Sequence, residues 1–323
     1  MAARLNPAPR PVPPIVDLRS VSAMELESIL QEETAAWRVE LDWDFDKSAD
    51  LVRRFVDLRA LNGSALVEDG AVTGYLYYVL EENKGLVGDL YVRADLRTKE
   101  REDLLLQSAL DAISANPYIR RVESQLMMLA YDPDRVLPHP EIAHSYDRNF
   151  MRVELPDADL TEGRVRRPMY IERWTDLYQD DAAVLIAKAY TGHVDSRIND
   201  QYRTVMGARR FLHNIVEYPG CGTFYRTASY AAFEAASGRM CGISLASLVA
   251  PECGHITQIC VSPEVRGTGI GHALLRRSLM TLREVGCKAA SLTVTSANED
   301  AVALYERVGF RTIRKFSAFA WER

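Results

Sequence analysis

Residues 266–271 read Arg266-Gly267-Thr268-Gly269-Ile270-Gly271, and the reading of the fold works outward from them. Ahead of them, Ile256-Thr257-Gln258-Ile259-Cys260-Val261 is short and β-branched and reads as a strand. Behind them, Ile270, Leu274, Leu275, Leu279 and Leu282 recur at helical spacing. The glycines therefore stand where a strand turns into a helix. A helix N-terminus leaves backbone N–H groups unpaired and carries partial positive charge. Glycine lets that backbone approach a ligand because no Cβ intervenes. Strand, glycine turn and helix together make a cradle for a pyrophosphate. The same hexad also serves as a plain tight turn. A dinucleotide site would want an acidic residue ~20 residues further on, and Glu284 stands near that distance inside the helical pattern.

The wider context separates these readings. The run Val261-Ser262-Pro263-Glu264-Val265-Arg266-Gly267-Thr268-Gly269-Ile270-Gly271-His272-Ala273-Leu274-Leu275 resembles motif A of the GNAT superfamily of N-acetyltransferases. Downstream, Asn298-Glu299-Asp300-Ala301-Val302-Ala303-Leu304-Tyr305-Glu306-Arg307-Val308-Gly309-Phe310 resembles its motif B. The likeness covers residues 169–323 well and the earlier half weakly.

The earlier half carries a faded copy. Gly88-Asp89-Leu90-Tyr91-Val92-Arg93-Ala94-Asp95-Leu96-Arg97 lines up with Thr257 to Arg266, and Leu106, Leu110 and Ile113 keep register with Leu275, Leu279 and Leu282. Val122 to Leu126 matches Ala290 to Val294 after a one-residue gap, and Tyr146 to Phe150 is aligned with Tyr305 to Phe310. Two copies of one fold follow. The expected class is α/β (α+β mixed sheet): two tandem GNAT-like domains, each a mostly antiparallel twisted sheet flanked by helices. The expected division is a poorly ordered Pro-rich leader over 1–20, a degenerate domain over 21–154, a linker over 155–168 and the acetyl-CoA-binding domain over 169–323. The layout is similar to that of the mycothiol synthase family. In the first copy Thr98-Lys99-Glu100-Arg101-Glu102 replaces the glycine turn. Glu100 and Glu102 are expected to face a phosphate there, at about 1 kcal/mol of repulsion per contact at ~4 Å even in water. That copy is expected to be structural, with shaping one wall of the substrate site as the alternative.

Composition narrows the function classes. At 323 residues the chain has room for about two domains, taking ~150 residues for each. A formal charge of −6 argues against a general nucleic-acid binder, and no apolar run is long enough for a membrane span. The first residues have no signal-peptide core. The five cysteines, with no secretory signal, favour reduced thiols and a cytoplasmic protein. Cys253, His255 and Cys260 raise a zinc reading, but the expectation is that no metal is bound.

The resemblance implies acetyl-CoA as co-substrate and direct attack of an amine on it. A free alkyl amine has a pKa of ~10.4, so neutralising it at pH 7 costs about 4–5 kcal/mol. Tyr305 matches the family's general acid. Ile259, Cys260 and Val261 match the strand whose N–H groups meet the thioester carbonyl and pantetheine arm. Arg266, Gly267, Thr268, Gly269, Ile270, Gly271 and His272 match the pyrophosphate loop, and Asn298 the contact to the coenzyme arm, though Asn298 is also a good helix cap. Thr257 and Gln258 stand where some members place a basic carboxylate, which leaves His255 as the candidate base. His193, Asp195 and Asp200 lie where the family builds its acceptor site. The expected acceptor is a small-molecule amine or a peptide. A protein N-terminal or lysine acetyltransferase and a non-catalytic acetyl-CoA sensor are the alternatives.

Overall fold

The computed structural model describes residues 13–218 and 220–323. The first half runs β1 (Ile15–Asp17), α1 (Ala23–Leu41), α2 (Asp46–Asp57), β2 (Asn62–Glu68), β3 (Ala71–Glu81), β4 (Lys84–Val92), α3 (Lys99–Ser114), β5 (Arg121–Gln125) and β6 (Ala143–Glu154). Helix α1 starts at Ser22, whose hydroxyl accepts from the Glu25 N–H while the Glu25 carboxylate returns a bond to the Ser22 N–H. Of the expected leader, residues 1–12 lie outside the described residues. Ile15–Asp17 instead pair with β2 and edge the sheet. Only Asp42 to Phe45 separate α1 from α2, with Phe45 at the N-cap of α2.

The second half runs β7 (Met169–Arg173), α4 (Gln179–Ala189), α5 (Asp195–Ile198), α6 (Val205–Glu217), β8 (Thr223–Phe224), β9 (Tyr230–Glu234), β10 (Met240–Ala250), β11 (Cys253–Val261), α7 (Ile270–Glu284), β12 (Ala289–Thr295), α8 (Glu299–Val308) and β13 (Arg311–Glu322). A 3-10 turn at Arg226–Ala228 separates β8 from β9.

The repeat is visible in the backbone. In each half a strand leads through a loop into a helix and returns as a parallel neighbour, β4–α3–β5 and β11–α7–β12. Each leading strand carries a bulge at the matching place. Tyr77 and Tyr78 face Asp89 and Val87, leaving Gly88 unpaired, and Leu245 and Ala246 face Gln258 and Ile256, leaving Thr257 unpaired. A bulge re-aims the side chains that follow it, so Asp89 and Gln258 turn to the same face of their sheets. The aligned arginines also act alike: Arg97 Nε donates to the Val92 carbonyl at 3.3 Å, and Arg266 Nε to the Val261 carbonyl at 3.4 Å. One alignment fails. Tyr146 to Phe150 lie within strand β6, whereas Tyr305 sits on helix α8 and packs on Phe310.

Among the described residues the strands form one sheet, in the order β1-β2-β3-β4-β5-β13-β6-β12-β11-β10-β9-β7, with β8 beside β10. The two halves exchange their last strands. β6, from the first half, pairs antiparallel with β12, while β13, from the second, pairs with β5. β6 and β13 also pair with each other from Ala143↔Trp321 to Arg152↔Arg311. The exchanged strands carry core on both faces. Phe150 joins Trp37, Trp43 and Phe45 under α1 and α2, and Met151 and Val153 join Leu275, Leu279 and Phe310 under α7 and α8. No helix among the described residues is long and apolar enough to cross a membrane.

Candidate functional site

Strands β11 and β12 pair only from Cys253↔Ala289 to Ile256↔Leu292. Beyond the Thr257 bulge they part, and β11 continues to pair only with β10 on its other side, through Ile259, Cys260 and Val261. The edge of β11 that faces away from β10 is thus released where the glycine loop begins. Gly267 and Gly269 take φ of +71° and +94°, a region that costs an L-residue about 1–2 kcal/mol. Gly269 caps α7 with no side-chain hydrogen bond, so the N–H groups of the first turn are not consumed by a cap. A Cβ on Gly269 would stand 2.6 Å from the Arg164 carbonyl oxygen. The segment after β6 therefore lies along this loop, and Arg166 N–H donates to Thr268 O at 2.9 Å. Thr268 Oγ1 closes the turn on Val265 O at 2.6 Å. Arg266 is exposed but engaged: its Nη2 donates to the Ala189 carbonyl at the end of α4, 2.5 Å away. It staples the loop to a helix C-terminus, where a cation is favoured. His272 is half-buried beside Gly163, and burial lowers its pKa. Bare N–H groups, glycine clearance and the parted strand edge fit an anionic, extended cofactor such as acetyl-CoA.

Tyr305 is 6% exposed. Its ring packs edge-on against Phe310 at 5.9 Å, and its hydroxyl makes no hydrogen bond among the described residues. Burial and the charge of Asp195 raise its pKa, while Arg148 pulls it back. Tyr202 lies in the same field, raised by burial and Asp195 and lowered by Arg148. Tyr190 stacks on Tyr202 at 4.4 Å. Gln258 Nε2 donates to Tyr190 OH at 2.9 Å, and Tyr202 OH donates to Gln258 Oε1 at 3.4 Å. Asp195 is held by the Thr295 hydroxyl, and its own N–H donates to His193 Nδ1 at 3.2 Å. The result is a wall of aromatic hydroxyls with one carboxylate and one guanidinium.

The expected site residues therefore divide. Tyr305, His193 and Asp195 gather around this wall, with Cys260, whose thiol burial pushes up to about 12, contributing from β11. Asn298 caps α8 by accepting from Ala301 N–H at 3.4 Å, which uses its side chain locally. Asp200 is drawn elsewhere: its carboxylate pairs with Lys84 of β4 at 2.6 Å and its N–H donates to Glu123 at 2.8 Å. Its partners Lys84 and Glu123 line a cavity of about 250 Å³ between the halves, together with Gly88, Gln125 and Gln201. His255 is buried in an aromatic box. Trp43 stands 5.0 Å from its ring and Phe150 6.1 Å, and Nδ1 is hydrogen-bonded to Ser291 Oγ at 2.8 Å. Burial drives its pKa down to about 3. The ring packs against the first half's aromatics, a setting that does not suit the base the sequence reading made of it.

Two participants escape the sequence reading: Tyr190 and Arg148. Tyr190 stands just ahead of the polar loop over 191–200, where the density of polar residues, Tyr202 among them, gave a signal. Arg148 comes from the first half on exchanged strand β6, and nothing local to it announces that placement. In the first half the matching helix start is occupied. Thr98 caps α3 through Arg101 N–H. Glu102, expected to face a phosphate, instead turns inward to pair with buried Arg135 at 2.7 Å.

A sequence model of the acetyltransferase (GNAT) family matches residues 199–310. Over 60 residues the chain is 40% identical to a mycothiol acetyltransferase of Propionibacterium freudenreichii subsp. shermanii, a stretch that spans 19% of each chain. The chain thus spans about a fifth of that relative's length. Its fold is similar to that of a GCN5-related N-acetyltransferase from Sphaerobacter thermophilus, with 18% identity over 95% of each chain and a TM-score of 0.65. It is also similar to a tandem GNAT protein from the clavulanic acid biosynthesis pathway, with 18% identity over 96% of this chain and 98% of that one and a TM-score of 0.61.

Proposed function

We propose that the chain, whose residues 199–310 match the GNAT acetyltransferase family model, transfers an acetyl group from acetyl-CoA to a primary amine in its second half. Three features carry the reading: the uncapped start of α7, the edge of β11 released at the Thr257 bulge, and the Tyr305 hydroxyl, which lies in the field of Cys260 on that strand. Acetyl-CoA, when bound, supplies an acetyl group already activated as a thioester. The α7 N-terminus and the glycine loop hold its pyrophosphate. N–H groups on the released edge of β11 stabilise negative charge on the carbonyl oxygen, at no cost of reorganisation. Asp195 accepts hydrogen bonds from the amine and orients it. As the carbon–nitrogen bond forms and the carbon–sulfur bond breaks, the amine loses its proton to solvent. Tyr305 donates its own proton to the departing sulfur. Burial keeps that hydroxyl protonated at neutral pH.

Calorimetric titration with acetyl-CoA tests the reading on three proteins. Wild type is expected to bind one equivalent, and Gly269→Glu none. Tyr305→Phe is expected to bind within threefold of wild type while its kcat in an amine screen falls by about 10²–10⁴-fold, the usual size of an acid–base contribution. Absence of binding in wild type overturns the proposal. Binding of a second equivalent overturns the assignment of the first half as structural.

A further inference from the structure

We propose that the acceptor carries a carboxylate a few atoms from its amine, as an amino acid does, and that Arg148, lent by the first half, is the residue that selects it. The inference rests on the acetyltransferase reading above. Strand β12 presents Thr293 and Thr295 on one face, two residues apart and so roughly 7 Å along the strand. Thr293 Oγ1 accepts from Arg148 Nη2 at 3.2 Å, and Thr295 donates to Asp195. One strand thus holds a guanidinium and a carboxylate side by side, and both act electrostatically on Tyr202 and Tyr305.

Arg148 is set apart by what it lacks. Its neighbours on the inter-half surface are paired: Arg121 with Glu123 and Glu322, Lys84 with Glu123 and Asp200, Arg152 with Asp42 and Glu154. Among the described residues no carboxylate lies within ion-pair distance of Arg148, and its Nε, like that of Arg152, is buried without a hydrogen-bond partner. Its guanidinium lies over the Phe316 ring, 6.0 Å from the centroid, which holds the side chain against the sheet. A buried donor left unmade is costly, and a planar fork is the group best matched to a carboxylate. An amine bound by Asp195 places its own carboxylate toward that fork. The acceptor's two charges then meet two opposite charges held on one strand.

The test is a paired screen on the full chain, using the twenty proteinogenic amino acids and their α-amides with saturating acetyl-CoA. For the preferred acceptor, wild type is expected to favour the acid over its amide by at least tenfold in kcat/KM, mostly through KM. Arg148→Met is expected to bring that ratio near one, and Arg148→Lys to restore part of it. Acetyl-CoA titration of both variants verifies that they are folded. Equal use of acids and amides by wild type, or an undiminished ratio in Arg148→Met, overturns the proposal while leaving the transferase reading intact. If no amine is acetylated although acetyl-CoA binds, the transferase reading fails, and Arg148 is judged by calorimetric binding of the same acids and amides to the CoA complex. A preference for acids there that vanishes in Arg148→Met supports the anion site, and its absence overturns it.

Discussion

His255 shows how far burial alone sets a residue's part. In sequence it is a histidine at the head of the cofactor strand, a reasonable base. In the fold it is enclosed by Trp43, Phe150 and Ser291 and held neutral, with its pKa lowered to about 3 by burial. The unfolded chain returns it to ~6.5, so between those values the unfolded state binds the extra proton. Stability from this residue is complete above pH ~6.5 and is lost as pH falls through the window, at up to about 1.4 kcal/mol per pH unit. His255→Phe keeps an aromatic ring in the box and removes the titration. Urea unfolding between pH 6.5 and 4.5 is expected to show a shallower decline for the variant than for wild type. Parallel declines would mean that the ring is not kept neutral in the fold. Glu33 and Asp89 repeat the theme with opposite sign: both are fully buried, and desolvation raises both pKa values. Tyr75 OH donates to the Glu33 carboxyl group at 2.6 Å.

At the scale of elements, α7 is aimed by its seat as much as by its glycine cap. Gly254 on β11 faces Leu282, and a Cβ there would lie 2.5 Å from Leu282 Cδ1 and 3.1 Å from its Cγ. Because the branch point itself is crowded, a rotamer change cannot clear the space. Gly254→Ala is expected to cost about 1–3 kcal/mol, the usual penalty of overpacking, and to weaken acetyl-CoA binding because the shifted helix carries the loop with it. Thermal unfolding and titration measure the two effects, and a stability loss with unchanged affinity would show that the loop holds its own geometry. Much at this scale was legible in the chain. Strand, glycine turn and apolar helix follow from local spacing, and the offset that aligns Arg97 with Arg266 also aligns the two bulges, Gly88 and Thr257. What was not legible depends on partners far away in sequence. Tyr146 to Phe150 resembles the end of α8 in letters, yet its backbone groups are taken up by β12 and β13. Asp195 and Asp200 stand five residues apart in one polar loop, and only tertiary placement sends one to the tyrosine wall and the other to Lys84.

For the whole molecule, the exchange of β6 and β13 makes each half incomplete without the other. Removing β6 from the second half takes away Phe150, Met151 and Val153, all buried. At about 1.5–3 kcal/mol for each such side chain, the loss is comparable to the 5–15 kcal/mol that stabilises a typical domain. It also bares one edge each of β12 and β13, and unpaired edges invite association. The halves are further tied by the buried Lys84–Glu123 pair, which reaches Asp200, and by Arg121 and Arg203 meeting on Glu322. Cutting one partner of such a buried pair strands the other charge. Residues 163–323 expressed alone are therefore expected to aggregate or to form a strand-swapped oligomer, and residues 1–162 likewise. Coexpressed, the two fragments are expected to copurify as a one-to-one complex that binds acetyl-CoA, since the break at Glu162–Gly163 falls in an exposed connection. Size-exclusion chromatography and acetyl-CoA titration read the outcome. A monomeric, acetyl-CoA-binding 163–323 fragment would show that β6 is dispensable to the second half. Then the first half would lend nothing to the site but Arg148, and retention of that arginine's selectivity would have to be sought in the complex alone.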